Sequence, residues 1–433
     1  MRRVVARHAL HRRIIFSRTM LKRIKVNQLR VGMYLHELCG SWLEHPFWRT
    51  SFLITHDKEL VRIKQSGVRE AWIDTSQGLD VEAEIAPQAL SKADSDRDTD
   101  QELAGMDSGG PLPERCSMAE EMHRAARICN RTRDAVATMF TEARMGRALD
   151  ASDAISLVEE ISDSVFRNPG ALISLARLKT SDDYTYMHSV AVCALMISLA
   201  RQLGLDEMQV REAGMAGLLH DVGKMHIPHE ILNKPGRLTD GEFDVVRAHP
   251  EAGHRLLLEG HGVSEIALDV CLHHHEKMDG SGYPHRLVAE DISLFARMGA
   301  VCDVYDAITS NRPYKRGWDP AESLRKMTEW CKGHFDETIF HAFVRSLGIY
   351  PVGSLVRLHS GRIAVVVEQS QSSLLAPVVL AFYSTQRSMR FEPERVDLSD
   401  PASSDSIASR EEPDTWNFPD LDSLWMGSVK VPA

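Results

Sequence analysis

His188, the adjacent pair His220 and Asp221, His249, the run His273-His274-His275-Glu276 and Asp303 fall within one stretch of the chain. Imidazole nitrogens and carboxylate oxygens are the donors that hold divalent cations, and facing helices can make them converge. His220 and Asp221 offer two ligands from one helix end. A carboxylate can bridge two cations, whereas each imidazole holds one. The chemistry open to such a set is metal-assisted hydrolysis, in which bound water becomes nucleophilic near neutral pH. Taken alone, His188 or His249 is more often a hydrogen-bonded core or surface residue than a ligand, and His273 fits equally well as a neighbour in a His-rich turn. Only the joint pattern points to a metal centre.

The elements that must position these residues are mostly helical. Apolar residues recur three and four apart at Met118, Met122, Ala125 and Ile128, and again at Leu157, Ile161 and Val165. Thr239 and Glu242 have the spacing of a capping box before an amphipathic run. Residues 116–349 therefore read as a helical domain. Residues 24–90 read as a small α/β domain: Phe52 and Leu53 sit in a short strand, Leu60 and Ile63 on one helix face, and 68–74 in another strand. Residues 91–115 are polar and acidic, then rich in Gly and Pro, as a linker would be. After Tyr350 the period shortens to two, so residues 350–400 read as a short β appendage and 401–433 as a loosely held polar tail. The fold class expected is mainly α: an all-helical bundle with a small α/β domain before it and a β appendage after it.

Composition bounds the function. The chain has 433 residues, a formal net charge of -10 and 43% hydrophobic residues. That acidity argues against a nucleic-acid binder but not against a small anionic substrate met by local positive charge. Seven scattered cysteines with no C-x-x-C pair read as reduced thiols of a cytoplasmic protein. No apolar run approaches the ~18 residues of a membrane span. Residues 1–23 are Arg-rich and lack acids, and Arg12 and Arg13 interrupt any signal-peptide core; they read as a basic, disordered leader, with Met20 as an alternative start.

Three segments together resemble the HD-GYP family, a branch of the HD hydrolases: His220-Asp-Val-Gly-Lys224, His274-His-Glu-Lys-Met-Asp-Gly-Ser-Gly-Tyr-Pro284, and Asp303-Val-Tyr-Asp-Ala-Ile-Thr-Ser-Asn-Arg-Pro-Tyr-Lys315. The likeness runs over residues 151–348. It implies a phosphodiesterase that converts cyclic di-GMP to linear pGpG and in some members on to GMP. It also implies metal ligands at His188, His220, Asp221, His249, His274, His275 and Asp303. Lys224 matches the lysine that contacts the scissile phosphate, and with Asp221 forms the catalytic pair. Asp306, Arg312, Lys315, Gly282 and Tyr283 match positions lining the substrate site, although Asp306 can also orient a metal-bound histidine. Some members hold a third metal with a glutamate one turn before the first histidine. Tyr184 stands there, so two metals are expected, iron or manganese by resemblance, and the second cleavage is put in question.

A phosphodiester is an anion that resists hydroxide. Two cations about 3.5–4 Å apart clamp its oxygens and activate a bridging water to hydroxide for in-line attack. Lys224 adds charge where the transition state gathers it, Arg312 can fork onto a phosphate or a guanine edge, and Lys315 acts as a point charge. For Arg312 and Lys315 the plain alternative is a solvated surface charge. Two other readings stay open. One is a catalytically weak scaffold that docks a diguanylate cyclase or adaptor through residues 282–284, with a homodimer allowed. The other is a hydrolase of 3′,3′-cyclic GMP-AMP. Residues 31–34, 42–47 and 72–75 resemble the uncharacterised domain that often precedes HD-GYP domains.

Overall fold

The computed structural model describes residues 21–39, 52–54, 60–61, 63–64, 70–75, 78–79, 114–179, 184–234, 236–311, 317–370, 372–416 and 418–427. The chain divides into two compact units, Met1–Asp107 and Ser108–Ala433. The 91–113 part of the expected linker, Arg312 and Lys315 lie outside the described residues.

In the first unit, strands β1 (Leu21–Lys25), β2 (Tyr34–Cys39), β3 (Phe52–Leu53) and β4 (Glu70–Asp74) form an antiparallel sheet in the order β1-β4-β2-β3. Leu60, Val61, Ile63 and Lys64 are helical. Ile24, Met33, Leu35, Ile54, Leu60, Ile63, Ala71 and Ile73 bury together as its core. The expected leader is too long by three residues, because Leu21, Lys22 and Arg23 already pair with Asp74, Ile73 and Trp72. The backbone ladder absorbs these residues whatever their charge.

In the second unit, α1 (Met118–Arg144) starts at a Ser117–Glu120 capping box. It is followed by α2 (Ser152–Arg167), α3 (Pro169–Arg177), α4 (Tyr184–Gln202) and α5 (Glu207–Leu219). Every residue of α4 from Met187 to Ala200 is buried, which makes it the central helix of the bundle. A 3₁₀ turn (Val222–His226) leads to α6 (His229–Leu232), α7 (Asp240–Arg247), α8 (His249–Leu258) and α9 (Glu265–His273). Thr239 and Glu242 cap α7 reciprocally, as their spacing predicts. Then come α10 (Leu294–Thr309), α11 (Pro320–His334) and α12 (Glu337–Leu347).

Strands β5 (Leu355–Leu358), β6 (Arg362–Glu368), β7 (Val378–Ser384), β8 (Met389–Asp397) and β9 (Ile407–Arg410) form an antiparallel sheet in the order β8-β7-β6-β5-β9. Over its described residues, 401–416 and 418–427, the expected loose tail is ordered. Strand β9 pairs with β5, and α13 (Pro413–Trp416) and α14 (Leu421–Met426) follow it. Trp425 is 4% exposed, and the Arg177 guanidinium of α3 lies 5.8 Å from its ring centre. Polar composition concealed three apolar anchors, Leu421, Trp425 and Met426.

Candidate metal centre

Helix ends and one central helix supply the donors. His188 stands one turn into α4. His220 closes α5 and Asp221 follows it at the head of the 3₁₀ turn. His249 opens α8, His274 closes α9 with His275 next to it, and Asp303 and Asp306 lie one turn apart on α10. The crossing of α8 with the 3₁₀ turn is very close. A Cβ at Gly223 would sit 2.0 Å from the His249 carbonyl oxygen, so only glycine lets these segments meet.

The seven expected ligands fall into two groups. His188, His220, Asp221 and Asp303 form one, and Asp221, His249, His274 and His275 the other; within each group the donor atoms lie within 4.8 Å of one another. Asp221 belongs to both, and its two oxygens are divided between them. Oδ2 faces His188 Nε2 and His220 Nε2, each at 3.3 Å, while Oδ1 faces His249 Nε2 at 3.2 Å and His274 Nε2 at 3.7 Å. His188 Nε2 also lies 2.9 Å from Asp303 Oδ1.

The far side of most rings is tied down. His220 Nδ1 donates to the Gly217 carbonyl at 2.7 Å and His249 Nδ1 to the Val246 carbonyl at 2.7 Å. His274 Nδ1 donates to the Val270 carbonyl at 3.0 Å, and His188 Nδ1 to Asp306 Oδ2 at 2.6 Å. Each such bond turns its ring so that Nε2 points into the centre. His220 Nε2 and Asp221 Oδ1 are buried and have no hydrogen-bond partner. A buried donor set left unsatisfied on its inner side fits divalent cations, which would supply the missing partners.

The charges divide along the same line. Burial pushes His188 down, but hydrogen bonds to Asp221, Asp303 and Asp306 outweigh it and raise the ring to about 10. Burial would raise Asp221 and Asp303. Lys224 and His220 around Asp221, and His188 and His275 around Asp303, hold both carboxyls well below their usual range. His274 is depressed by burial and by His275 and His220, and burial above all drives His275 down to about 3. Asp221 thus lies between Asp303, a second carboxyl held low, and the depressed imidazoles of His274 and His275.

The expected substrate residues separate. Lys224 Nζ lies 2.5 Å from Asp221 Oδ2 with its side chain 20% exposed, at the edge of the centre. Tyr283 stacks on His275, ring centres 4.6 Å apart and planes 27° from parallel. Asp306 does not line an open surface. It is buried, ion-paired with Lys179, and bonded by His188 and by Ser310 Oγ at 3.2 Å. Gly282 is buried, and a Cβ there would meet the Glu276 Cα at 2.5 Å, so its place in the loop is set by packing instead of by an open face.

Sequence reasoning missed three residues. Lys179 is buried and bonds Asp306 and Ser310, the latter at 2.9 Å; an isolated lysine gave no signal. Glu276 is 2% exposed and accepts from the amides of His285 at 2.7 Å and Leu287 at 3.1 Å, which folds the loop carrying Tyr283 over the centre. Its position next to His275 was the available clue. Arg247 lies with its guanidinium over the Tyr283 ring, 5.2 Å from the ring centre.

Comparison with known proteins follows the same outline. A family model described as an HD domain matches residues 159–339, and one described as a domain of unknown function (DUF3391) matches residues 21–154. The cyclic di-GMP phosphodiesterase PA4108 of Pseudomonas aeruginosa is 55% identical over 412 residues, covering 95% of this chain and 97% of that protein. This chain belongs to the HD-GYP family. Other relatives match over a shorter part of this chain. The cyclic di-GMP phosphodiesterase response regulator RpfG of Xanthomonas campestris pv. campestris is 49% identical over 34% of this chain and 39% of its own length. The 3′3′-cGAMP-specific phosphodiesterase 1 of Vibrio cholerae is 34% identical over 41% of each. The HD-GYP domain here is the helical bundle that carries both ligand groups. Among the described residues, no helix is long and apolar enough to cross a membrane.

Proposed function

We propose that this HD-GYP protein hydrolyses cyclic di-GMP to linear pGpG at a centre of two divalent cations. The observation that carries the reading is the division of Asp221, one oxygen to each ligand group. The substrate follows from the full-length likeness to the Pseudomonas aeruginosa phosphodiesterase. Bound divalent cations supply Lewis acidity to the phosphodiester and lower the pKa of water.

The chain's own residues do the rest. His188, His220, Asp221 and Asp303 would hold one cation, and Asp221, His249, His274 and His275 the other. Lys224 brings positive charge to the non-bridging phosphate oxygens, where charge accumulates as the bond to the leaving 3′ oxygen breaks. Asp306 serves His188: it accepts the Nδ1–H hydrogen bond and so keeps Nε2 free to ligate. Tyr283 walls the centre at His275. Arg312 and Lys315 take the substrate's phosphate or guanine edge. Mixed imidazole and carboxylate donors suit iron, manganese, zinc or nickel alike, and the likeness to the HD-GYP family favours iron or manganese. Tyr184 stacks on His188, 5.9 Å between ring centres, where a third cation would need a carboxylate, so pGpG is the expected end product. The reaction belongs in the cytoplasm, where cyclic dinucleotides are made.

Two other readings meet specific observations. The Vibrio cholerae likeness keeps 3′,3′-cyclic GMP-AMP as the competing substrate. A scaffold that only docks a diguanylate cyclase or adaptor, alone or as a homodimer, is disfavoured by the complete ligand set. The test is turnover of both cyclic dinucleotides by protein loaded anaerobically with iron or manganese, with products separated by chromatography. Accumulation of pGpG, faster from cyclic di-GMP, supports the reading. Intact cyclic di-GMP sinks it.

A further inference from the structure

The Arg247 guanidinium is an unusual charge. Arg247 ends α7, two residues before His249, and is half-buried. Its guanidinium lies between two rings, 5.0 Å from the Phe243 centre and 5.2 Å from that of Tyr283. Tyr283 in turn lies on His275. A stack therefore runs outward from the ligand shell: His275, Tyr283, Arg247, Phe243. Among the described residues no carboxylate pairs with Arg247, and its Nε is buried with no hydrogen-bond partner. Of the other arginines of this unit that lie over an aromatic ring, Arg201 forks onto Glu207, Arg357 pairs with Glu411 and Arg390 forks onto Asp420.

A half-buried cation with no counter-charge is costly unless an anion arrives. Aromatic faces offset part of that cost and hold the guanidinium plane in place, leaving its edge to fork onto an oxyanion. In a chain of net charge -10 the placement of such a cation beside the ligand shell is informative. Cyclic di-GMP carries two phosphodiesters. The cations and Lys224 account for one, the bond that is cut. The other must also leave water and needs a donor outside the ligand shell, a place that Arg247 would share with Arg312 and Lys315 or fill while they take the guanine edges.

We propose that Arg247 binds the second, uncleaved phosphodiester of the substrate. The inference rests on the cyclic-dinucleotide reading above. It makes Arg247 a determinant of specificity: it favours substrates with two phosphates over those with one, and acts on binding instead of on bond cleavage. Tyr283 and Phe243 hold the guanidinium for that contact.

The test compares cyclic di-GMP with bis(p-nitrophenyl) phosphate, which has a single phosphodiester, in the wild-type protein, Arg247→Gln and Arg247→Lys. Arg247→Gln is expected to raise KM for cyclic di-GMP about tenfold or more, the cost of one charge-assisted pair. Its kcat should stay within about twofold, and KM for the single-phosphate substrate should not move. Arg247→Lys, which keeps the charge and loses the fork, should fall between. An unchanged KM for cyclic di-GMP in Arg247→Gln overturns the proposal. So does an equal loss on both substrates, or loss of bound metal, since either means that Arg247 only props Tyr283 against His275. If the wild-type protein cleaves bis(p-nitrophenyl) phosphate but leaves cyclic di-GMP intact, the substrate reading itself has failed.

Discussion

His188 donates from Nδ1 to Asp306 Oδ2 at 2.6 Å, and that same carboxylate is ion-paired with the fully buried Lys179. The ammonium therefore acts on the ligand shell at one remove. It keeps a buried carboxylate compensated, and the carboxylate keeps the ring turned with Nε2 toward Asp221 and Asp303. Replacing Lys179 by Met leaves Asp306 without its cation. The expected cost is about 3 kcal/mol, at the low end for a broken buried pair because His188 and Ser310 still bond the carboxylate. Metal affinity of the His188 group should fall about tenfold or more. Urea unfolding of the metal-free protein reads the first effect and metal titration the second. Wild-type values for both would remove Lys179 from this account.

Glu121 gives a pH-dependent contribution far from the ligand shell. Its carboxylate is buried on α1 and receives a forked pair from Arg167, both bonds at 2.8 Å, and one from Ser164 at 2.8 Å. Burial alone would raise its pKa, but Arg167 and Ser164 outweigh that and hold it below the ordinary value. A folded value below the unfolded one gives stability that is complete above the unfolded pKa of about 4.3. That stability is lost as pH falls through the depressed folded value. Glu121→Gln should therefore cost about 2 kcal/mol near neutral pH, a loss of charge-assisted bonds. The two proteins should converge on acidification. Urea midpoints at about pH 7 and about pH 3 decide it; a difference that persists undiminished in acid contradicts the linkage.

How much of this was legible depends on whether a residue's job shows in its type and spacing. The seven expected ligands did, because ordered motifs of histidine and aspartate carry the family resemblance, and the structure gathers all seven side chains into two groups that could hold ions. The capping box at Thr239 and Glu242 was legible for the same reason, since it is a local contact three residues long. Lys179 was not, because its partner Asp306 is 127 residues away and nothing local marks it. Asp306 was assigned partly to the substrate site because type and spacing identify a carboxylate near the centre but not the side of the ring it serves. The 401–433 segment misled through composition: its polar residues are abundant, while its anchoring depends on three apolar side chains and on a strand held by backbone pairing.

The anchoring of that segment can be measured. Trp425 is buried against Arg177, and its indole Nε1 donates to Asp422 Oδ1 at 3.1 Å. Trp425→Ala leaves a cavity at the junction of α14 with the helical bundle and should destabilise the unit by about 3 kcal/mol. It is not among the ligand or substrate residues, so kcat of the folded fraction should be unchanged. Thermal unfolding with active-site-normalised turnover separates the two. A loose tail would give a midpoint equal to that of the wild type.

The sharing of Asp221 makes the strongest prediction about metal content. Its two oxygens face different ligand groups, whereas His249 faces one. Removing a carboxylate that serves both sites takes a donor and a negative charge from each. Removing one imidazole from a four-donor group leaves the other group intact. Protein purified with saturating iron or manganese should carry about two ions per chain when wild type. Asp221→Ala should fall well below one and His249→Ala should stay near one, both with turnover of cyclic di-GMP reduced by about a hundredfold or more. Elemental analysis of freshly purified protein reads the counts directly. Equal metal content in Asp221→Ala and His249→Ala would mean that the two groups do not share a ligand, and the centre would have to be redrawn as two separate sites.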